Sequence, residues 1–443
     1  MPRLLLILLF TLTALTASAD RVRVRLYSNN TVDKIYISFD LGEYNLVGNA
    51  ATDIEQNLGE GRSVELSPTK GNKVRVAIDD YPQGDFDSVT FLATDTACIL
   101  CLNPPNLKNR TYEGNLVVKV GKGGKLLHIN DVEFETYLAG VVQSEIYGND
   151  PDIFRVQAII SRTWALRNIN KHRAEGYNFC DQVHCQAYLN RCVRPDIMLG
   201  TIQSSGETLV DAQGNMIETP FHANSGGQTA NSEDVWRSAL PYLRSVPDTF
   251  SNRMKQSEWV KNITEDKWLG YFASKHHLNT RDDSIRHELL TFSQSERKAR
   301  ICNVPLTRIR ADFQLRSTFF NVLYDSSSHR VTLSGHGYGH GVGLSQEGTI
   351  RMVGLGISYD SILRHYYTGS SIHYDPEHPH TYVENYVKQI TQIIEEDKNR
   401  ATQVRSKKDD WLGRLFRLRD REEREEVYDA TNTDLDSDWQ YDW

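Results

Sequence analysis

The chain has 443 residues, 24% of them charged and 39% hydrophobic, the balance of a soluble globular protein with room for two or three domains. Its formal net charge of -8, with no long basic patch, argues against a general nucleic-acid binder, so nucleic acid is not an expected partner.

Arg3, the apolar run "LLLILLFTLTAL" and "ASA" ending at Ala19 have the order of a secretory signal peptide over residues 1–19, with Asp20 as the expected mature start. The apolar run is shorter than the roughly 20 residues a spanning helix needs, and no later segment is apolar enough to cross a membrane. No cysteine follows the cleavage site, which argues against lipid anchoring there. The expected location is therefore outside the cytoplasm, in the periplasm or cell envelope. In such a compartment the default for the six cysteines is disulfide bonding.

Residues 20–130 read as β-rich. "VRVRLYS", "KIYISFD", "KVRVAI", "VTFLAT", "NLVVKV" and "KLLHI" are short alternating runs separated by Gly, Asn, Asp and Pro. A core over 131–380 follows. Asn130 and Glu133 have capping-box spacing, and Phe134, Leu138, Val141 and Glu145 then fall on one helical face. Glu145 thus ends an apolar stripe, where burial raises a carboxyl's pKa and suits it to donate a proton to a glycosidic oxygen. The plainer reading of the same spacing is a helix-end carboxylate in register by chance. Asp150 and Pro151 open the next helix, on which Arg162 is placed to bind substrate or to restrain Glu145.

In "HRAEGYNFCDQVHCQAYLNRC", His172, Cys180, His184 and Cys185 offer two imidazoles and two thiolates, a tetrahedral zinc set. A Cys180–Cys185 disulfide beside a surface His184 fits the spacing equally well. "FHANSGGQTANSEDVW" reads either as a solvated loop or as a saccharide-binding lip, with His222, Asn224, Ser225, Gln228 and Asn231 as neutral hydrogen-bonding groups. Residues 245–300 read as a polar helical insertion.

In "SGHGYGHGVGLSQEG" the alternating glycines predict an extended segment with one bare face. His336, Tyr338 and His340 then share the other face, and at ~3.3 Å per residue the two histidines lie about 13 Å apart, too far to share a metal. The expectation is a groove wall; a glycine-rich strand packed tightly in the core is the alternative. Ser345 opens a short helix, and "SYDSILRHYYTG" predicts another, capped by Ser358 and stopped at Gly369. Residues 383–394 carry apolar groups at helical spacing. The region 381–443 reads as this helix followed by a charged extension, mobile from 395 onward.

Taken in order, "RTYEGNLVV", "ETYLAGVVQSEI", "VQAIISRTWAL", "CDQVHCQAY", "FHANSGGQTANSEDVW", "PYLRSVPD", "LRSTFFNV", "GHGYGHGVGLSQEG" and "YDSILRHYYTG" resemble the SpoIID/LytB family of peptidoglycan-acting proteins, from about Arg21 to Gly369. Trp164 departs from the tyrosine of the family's arginine helix. The resemblance implies an α+β fold in which a β-rich N-terminal part precedes a helical catalytic core, with mixed strands and helices forming a glycan-binding groove. It implies a lytic transglycosylase acting on glycan strands stripped of stem peptides, with Glu145 as the catalytic residue and zinc near the His/Cys region. The expected substrate-binding set is Arg162, Gln186, Tyr188, His222, Asn224, Ser225, Gly226, Gly227, Asn231, His336, Tyr338, His340, Ser345 and Gln346. Glu233, Asp234 and Glu347 are the other carboxylates near the expected groove. The first two read as shaping the loop and the third as pointing into a helix start, so one carboxyl serves both steps and leaves 1,6-anhydromuramyl ends. Two rivals fit the same residues: a non-catalytic module that stimulates a partner cell-wall amidase, and a zinc-dependent hydrolase with an open site near His184.

Overall fold

A computed structural model describes residues 21–49 and 55–375. The expected signal peptide, the 383–394 helix and the C-terminal extension lie outside the described residues. Among those described, no helix is long and apolar enough to cross a membrane.

The N-terminal part is a pair of sheets on one core. The seven-stranded sheet runs in the order Phe179–Cys180, Arg21–Leu26, Leu126–Glu133, Asn115–Val120, Ser88–Ala93, Tyr44–Asn49, Glu55–Leu58. The six-stranded one runs Arg110–Glu113, Ile99–Asn103, Ile35–Leu41, Ser63–Pro68, Val74–Ile78, Tyr81–Phe86. Their strands alternate buried and exposed, as the period-2 pattern predicts: Val22, Val24 and Leu26 point inward from the first strand, and Ile35, Ile37 and Phe39 from the next.

The strand Leu126–Glu133 runs straight into helix α1 (Phe134–Glu145), and α2 (Pro151–Arg167) packs on it. The predicted capping box does not form. Asn130 stays in the strand and donates its side-chain amide to the carbonyls of Glu113 and Asn115, and Glu133 occupies the cap position without its side chain capping the first-turn amides. The second start is as expected: Asp150 accepts from the Asp152 amide and Pro151 fills the first turn. Helices α3 (Pro195–Gln203) and the short α4 (Ser232–Val235) follow.

The 245–300 region is not simply helical. The strand Glu258–Thr264 pairs along its length with Arg330–His336, which also pairs with Phe319–Asp325. Helices α5 (Glu265–His276), α6 (Asp283–Thr291) and α7 (Leu306–Asp312) complete this unit. They share with the three strands a separate core that includes Trp259, Trp268, Phe272, Leu289 and Phe320. The inserted unit therefore includes the strand that carries the first histidine of the glycine segment. Helices α8 (Gln346–Gly354) and α9 (Tyr359–Tyr366) follow, with the Ser345 hydroxyl accepting from the Gly348 amide as its cap position predicts, and the strand Ser371–Tyr374, paired with Glu207–Val210, is the last described element.

Candidate functional site

Glu145 is the last residue of α1. Phe134, Leu138 and Val141 bury the stripe that leads to it, and Ile146 turns the chain to extended backbone immediately after. Glu145 itself is partly exposed. The Ala187 amide donates to its Oε1 at 2.7 Å, the Gln346 side chain donates to its main-chain carbonyl at 2.8 Å, and the Leu189 amide donates to Ser144 Oγ at 3.2 Å. Burial pushes the Glu145 pKa up to about 7, against the opposing pull of the Ala187 amide. Near neutrality this carboxyl is divided between acid and base forms, the condition for moving a proton both ways.

Arg162 does not reach this carboxyl. It is 1% exposed and its guanidinium meets Glu135 through Nε at 2.9 Å and Nη2 at 2.7 Å. Its remaining bonds go to Ser204 Oγ and to the carbonyls of Thr201 and Glu207. The expected substrate contact is thus a buried strut between α1, α2 and α3. Gln186 and Tyr188 are buried too. Gln186 accepts from Tyr137 and donates to the Ser161 carbonyl, and Tyr188 donates to Asn130. The Tyr188 ring lies so close to α1 that a Cβ on Gly140 would sit 2.5 Å from it. These residues place the 186–189 segment against Glu145 instead of facing a substrate. Replacing Arg162 by Met should lower stability by roughly 3–5 kcal/mol, because it strands the Glu135 carboxylate and the carbonyls it satisfied; a denaturant melt measures this.

The lip loop and the glycine segment come together, but not as an extended wall. The strand ends at His336, and Gly337, Gly339, Gly341 and Gly343 have φ of 76°, 114°, 83° and 69°. Left-handed backbone is why glycine is needed there, and the 3.3 Å ruler stops applying past His336. The bare faces meet the protein's own chain. A Cβ on Gly343 would lie 2.2 Å from the Pro220 carbonyl oxygen, one on Gly337 2.6 Å from that of Asn224, and one on Gly339 2.6 Å from His222 Cβ. His222, Asn224, Ser225 and Ser345 are buried. Ser225 donates to Asp248 at 2.7 Å, and Asn224 donates to Glu347 Oε2 at 2.6 Å. Asn231 holds the loop by donating to Asp234 and accepting from the Ser245 amide. The His340 ring packs on His222 and Trp236 and accepts the Val342 amide at Nδ1; burial pushes its pKa down to about 3. Burial lowers His222 as well, so both imidazoles are neutral packing groups.

Open surface remains at Gly226, Gly227 and His336, which with Asn252, Ser257 and Phe319 line a cleft of about 610 Å³. Glu145 is not among the cleft's lining residues. The two are linked through Glu347, a residue that the spacing placed only at a helix start. Glu347 is 1% exposed and accepts from the Tyr147 hydroxyl, the Asn224 side chain and the Gln256 amide. It ties the end of α1, the lip loop and the inserted unit to α8. Tyr338 bridges the lip loop through its main chain, with the Arg316 guanidinium 5.4 Å from its ring centre.

The His/Cys group assembles as the spacing suggested. One donor atom from each of His172, Cys180, His184 and Cys185 lies within 4.8 Å of the others, and both cysteines are free. The Cys185 sulfur is 3.5 Å from His172 Nε2 and 3.8 Å from His184 Nδ1. His172 is oriented from behind, its Nδ1 lying 2.7 Å from Glu175, whose other oxygen accepts from Tyr177. The neighbouring Cys185 thiol, by hydrogen bonding, holds the Cys180 pKa down to about 5. Two soft sulfurs and two imidazoles at this separation, one imidazole backed by a carboxylate, form a set that can hold a tetrahedral metal ion.

Nothing in the spacing singles out Asp181, which lies between these side chains. It is fully buried and accepts from the amides of Tyr27 and Ser28 and from Arg110 at 2.6 Å, fastening the metal-type loop to the β-rich part.

The SpoIID family model, described as Stage II sporulation protein, matches residues 122–211, the stretch that contains Glu145, Arg162 and the His/Cys group. Over these residues the chain matches the SpoIID family. It is 25% identical to Stage II sporulation protein D of Bacillus subtilis over 260 residues, 55% of this chain and 75% of that one. It is 26% identical over 289 residues to the Amidase enhancer of the same organism, spanning 53% of this chain but only 40% of the relative. An uncharacterized protein of Brachyspira hyodysenteriae is 24% identical over 270 residues, 59% of this chain and 72% of that one. The SpoIID match ends at residue 211, before the lip loop, the inserted unit and the glycine segment.

Proposed function

We propose that this protein is an exported, cell-wall-acting lytic transglycosylase that cleaves peptide-stripped glycan through Glu145. The carrying observation is the Glu145 carboxyl, held by the Ala187 amide on a partly exposed helix end with its pKa pushed up to about 7. In its acid form Glu145 gives its proton to the glycosidic oxygen as the bond to C1 breaks. The resulting carboxylate then takes the proton from the C6 hydroxyl of the muramyl residue as that oxygen bonds to C1. The acid form is restored, no water is consumed, and a 1,6-anhydro end is released. No second carboxylate is required, in contrast to an inverting hydrolase. Glu347 is engaged with Tyr147, Asn224 and Gln256, and Glu233 pairs with Arg244, which supports the single-carboxyl reading.

His172, Cys180, His184 and Cys185 would hold a zinc ion. With four protein donors the ion's contribution is structural, which argues against the hydrolase alternative. The likeness to the Amidase enhancer keeps a second reading in view, a glycan-binding module that stimulates a cell-wall amidase. The deciding experiment incubates the purified protein alone with amidase-stripped glycan strands and weighs the products. Anhydro ends are expected. Products heavier by one water mean hydrolysis. No product, with stimulation of an added amidase, means the enhancer reading holds.

A further inference from the structure

Two residues beyond Glu145 an aromatic side chain stands in solvent. Tyr147 is 52% exposed, while Ile146 before it is buried. An exposed ring on a loop ordinarily samples several rotamers, but this one is tethered. Its hydroxyl donates at 2.8 Å to Oε1 of Glu347, a carboxylate that is itself 1% exposed. The second oxygen of Glu347 accepts from Asn224 at 2.6 Å and from the Gln256 amide at 3.0 Å, so the anchor is fixed from two further segments. Burial raises the phenol's pKa, and so does the neighbouring Glu347, which keeps the hydroxyl a donor. A second exposed apolar group lies on the segment bonded to the last turn of α1: Leu189 is 39% exposed, and its amide donates to the hydroxyl of Ser144, the residue before Glu145.

We propose that Tyr147 is a sugar-stacking residue of the subsite beside Glu145, its ring held open toward the glycan by the buried Glu347. This inference rests on the glycan-cleaving reading and adds to it the group that positions the ring. A pyranose has polar edges and an apolar C–H face. A tethered aromatic face with its polar end already satisfied offers contact area at little further loss of rotamer freedom. Placed two residues from the proton donor, such a face would set which glycosidic oxygen lies at the Glu145 carboxyl.

The test uses the full chain with Glu145→Gln as a non-cleaving host and a peptide-free tetrasaccharide of alternating N-acetylglucosamine and N-acetylmuramic acid as the probe, with affinity read by calorimetry. Tyr147→Ala should weaken binding about tenfold, the size of one lost ring contact. Tyr147→Trp should bind close to the host, since it restores a ring, and Tyr147→Phe should lie between because it loses the tether. The melting temperature of Tyr147→Ala should fall modestly and by the same amount as that of Tyr147→Phe, since both lose the hydrogen bond to Glu347, whereas only the Ala variant loses the ring. With Glu145 intact, Tyr147→Ala should raise KM more than it lowers kcat. Unchanged affinity in Tyr147→Ala overturns the inference even where the wild-type protein releases anhydro ends. Weakened affinity in a protein that never cleaves glycan sustains the stacking residue and removes the transglycosylase reading. A host that binds no tetrasaccharide overturns both.

Discussion

Glu145→Gln is expected to lower glycan cleavage by a factor of about 10² or more, the scale of a positioned acid/base, while leaving the fold and glycan binding in place. The amide keeps the shape of the carboxyl and its oxygen can still accept the Ala187 N–H, so the 186–189 segment has no reason to move. What is lost is the proton that the glycosidic oxygen must receive. The wild-type pH profile should carry the same signature. The carboxyl donates first, so kcat/KM should hold below about pH 7 and fall as pH rises through the folded pKa of about 7. Stability follows with a definite sign. Because the folded pKa is raised above the ordinary value of 4.5, the folded protein retains a proton there that the unfolded chain gives up. Glu145 therefore favours unfolding increasingly as pH climbs from about 4.5 to about 7, and Glu145→Gln should melt at an equal or higher temperature than wild type at pH 8. A Gln variant that still cleaves, or a flat kcat/KM profile between pH 6 and 8, would remove Glu145 from the chemistry.

How much of this could be read in advance depends on the range of the contacts involved. The α1 stripe from Phe134 to Glu145 is local, repeats at helical spacing, and appears in the structure as read. The N-terminal strands are equally local, because alternation alone sets which side chains turn inward. The burial of Arg162 is not legible in the sequence because its partner Glu135 is on another helix, and nothing in the neighbourhood of the arginine announces the pair. The 245–300 region reads as helical because the strand Glu258–Thr264 gains its identity only on pairing with Arg330–His336, far along the chain. The glycine segment is ambiguous for a further reason. Alternating glycines are compatible both with a bare strand face and with a run of left-handed turns, and only the close approach of Pro220, His222 and Asn224 decides between them. Nothing in the sequence announces the contact of Tyr147 with Glu347, since a single exposed aromatic and a helix-start carboxylate are ordinary until they are seen to touch. The grouping of His172, Cys180, His184 and Cys185 is legible because three of the four fall within a short stretch and their side chains are chemically distinctive.

The second large effect is expected at Cys180. The purified protein should carry about one zinc per chain, and Cys180→Ser should release it and lower the melting temperature by ~10 °C or more, from a loss on the order of several kcal/mol. Structural zinc binds through thiolate, and a serine hydroxyl neither ionises near neutrality nor offers a soft donor. The consequence is not confined to the loop. Cys180 ends the strand Phe179–Cys180 that extends the seven-stranded sheet beside Arg21–Leu26, and Asp181 next to it holds Tyr27, Ser28 and Arg110. On the other side, Cys185 is two residues from Ala187, whose amide holds the Glu145 carboxyl at 2.7 Å. Freeing these side chains would therefore loosen both the attachment to the β-rich part and the hydrogen bond that holds the Glu145 carboxyl. Removal of metal from the wild-type protein with a chelator should reproduce both losses, and restoring zinc should reverse them in wild type but not in Cys180→Ser. His340→Ala should leave zinc content unchanged, because that ring packs on His222 and Trp236, away from the ligands. Metal analysis, thermal melts and peptide mass mapping decide the matter together: a protein without zinc in which Cys180 and Cys185 are joined as a disulfide would mean that these side chains staple the loop covalently, and the predicted sensitivity to chelator would then be absent.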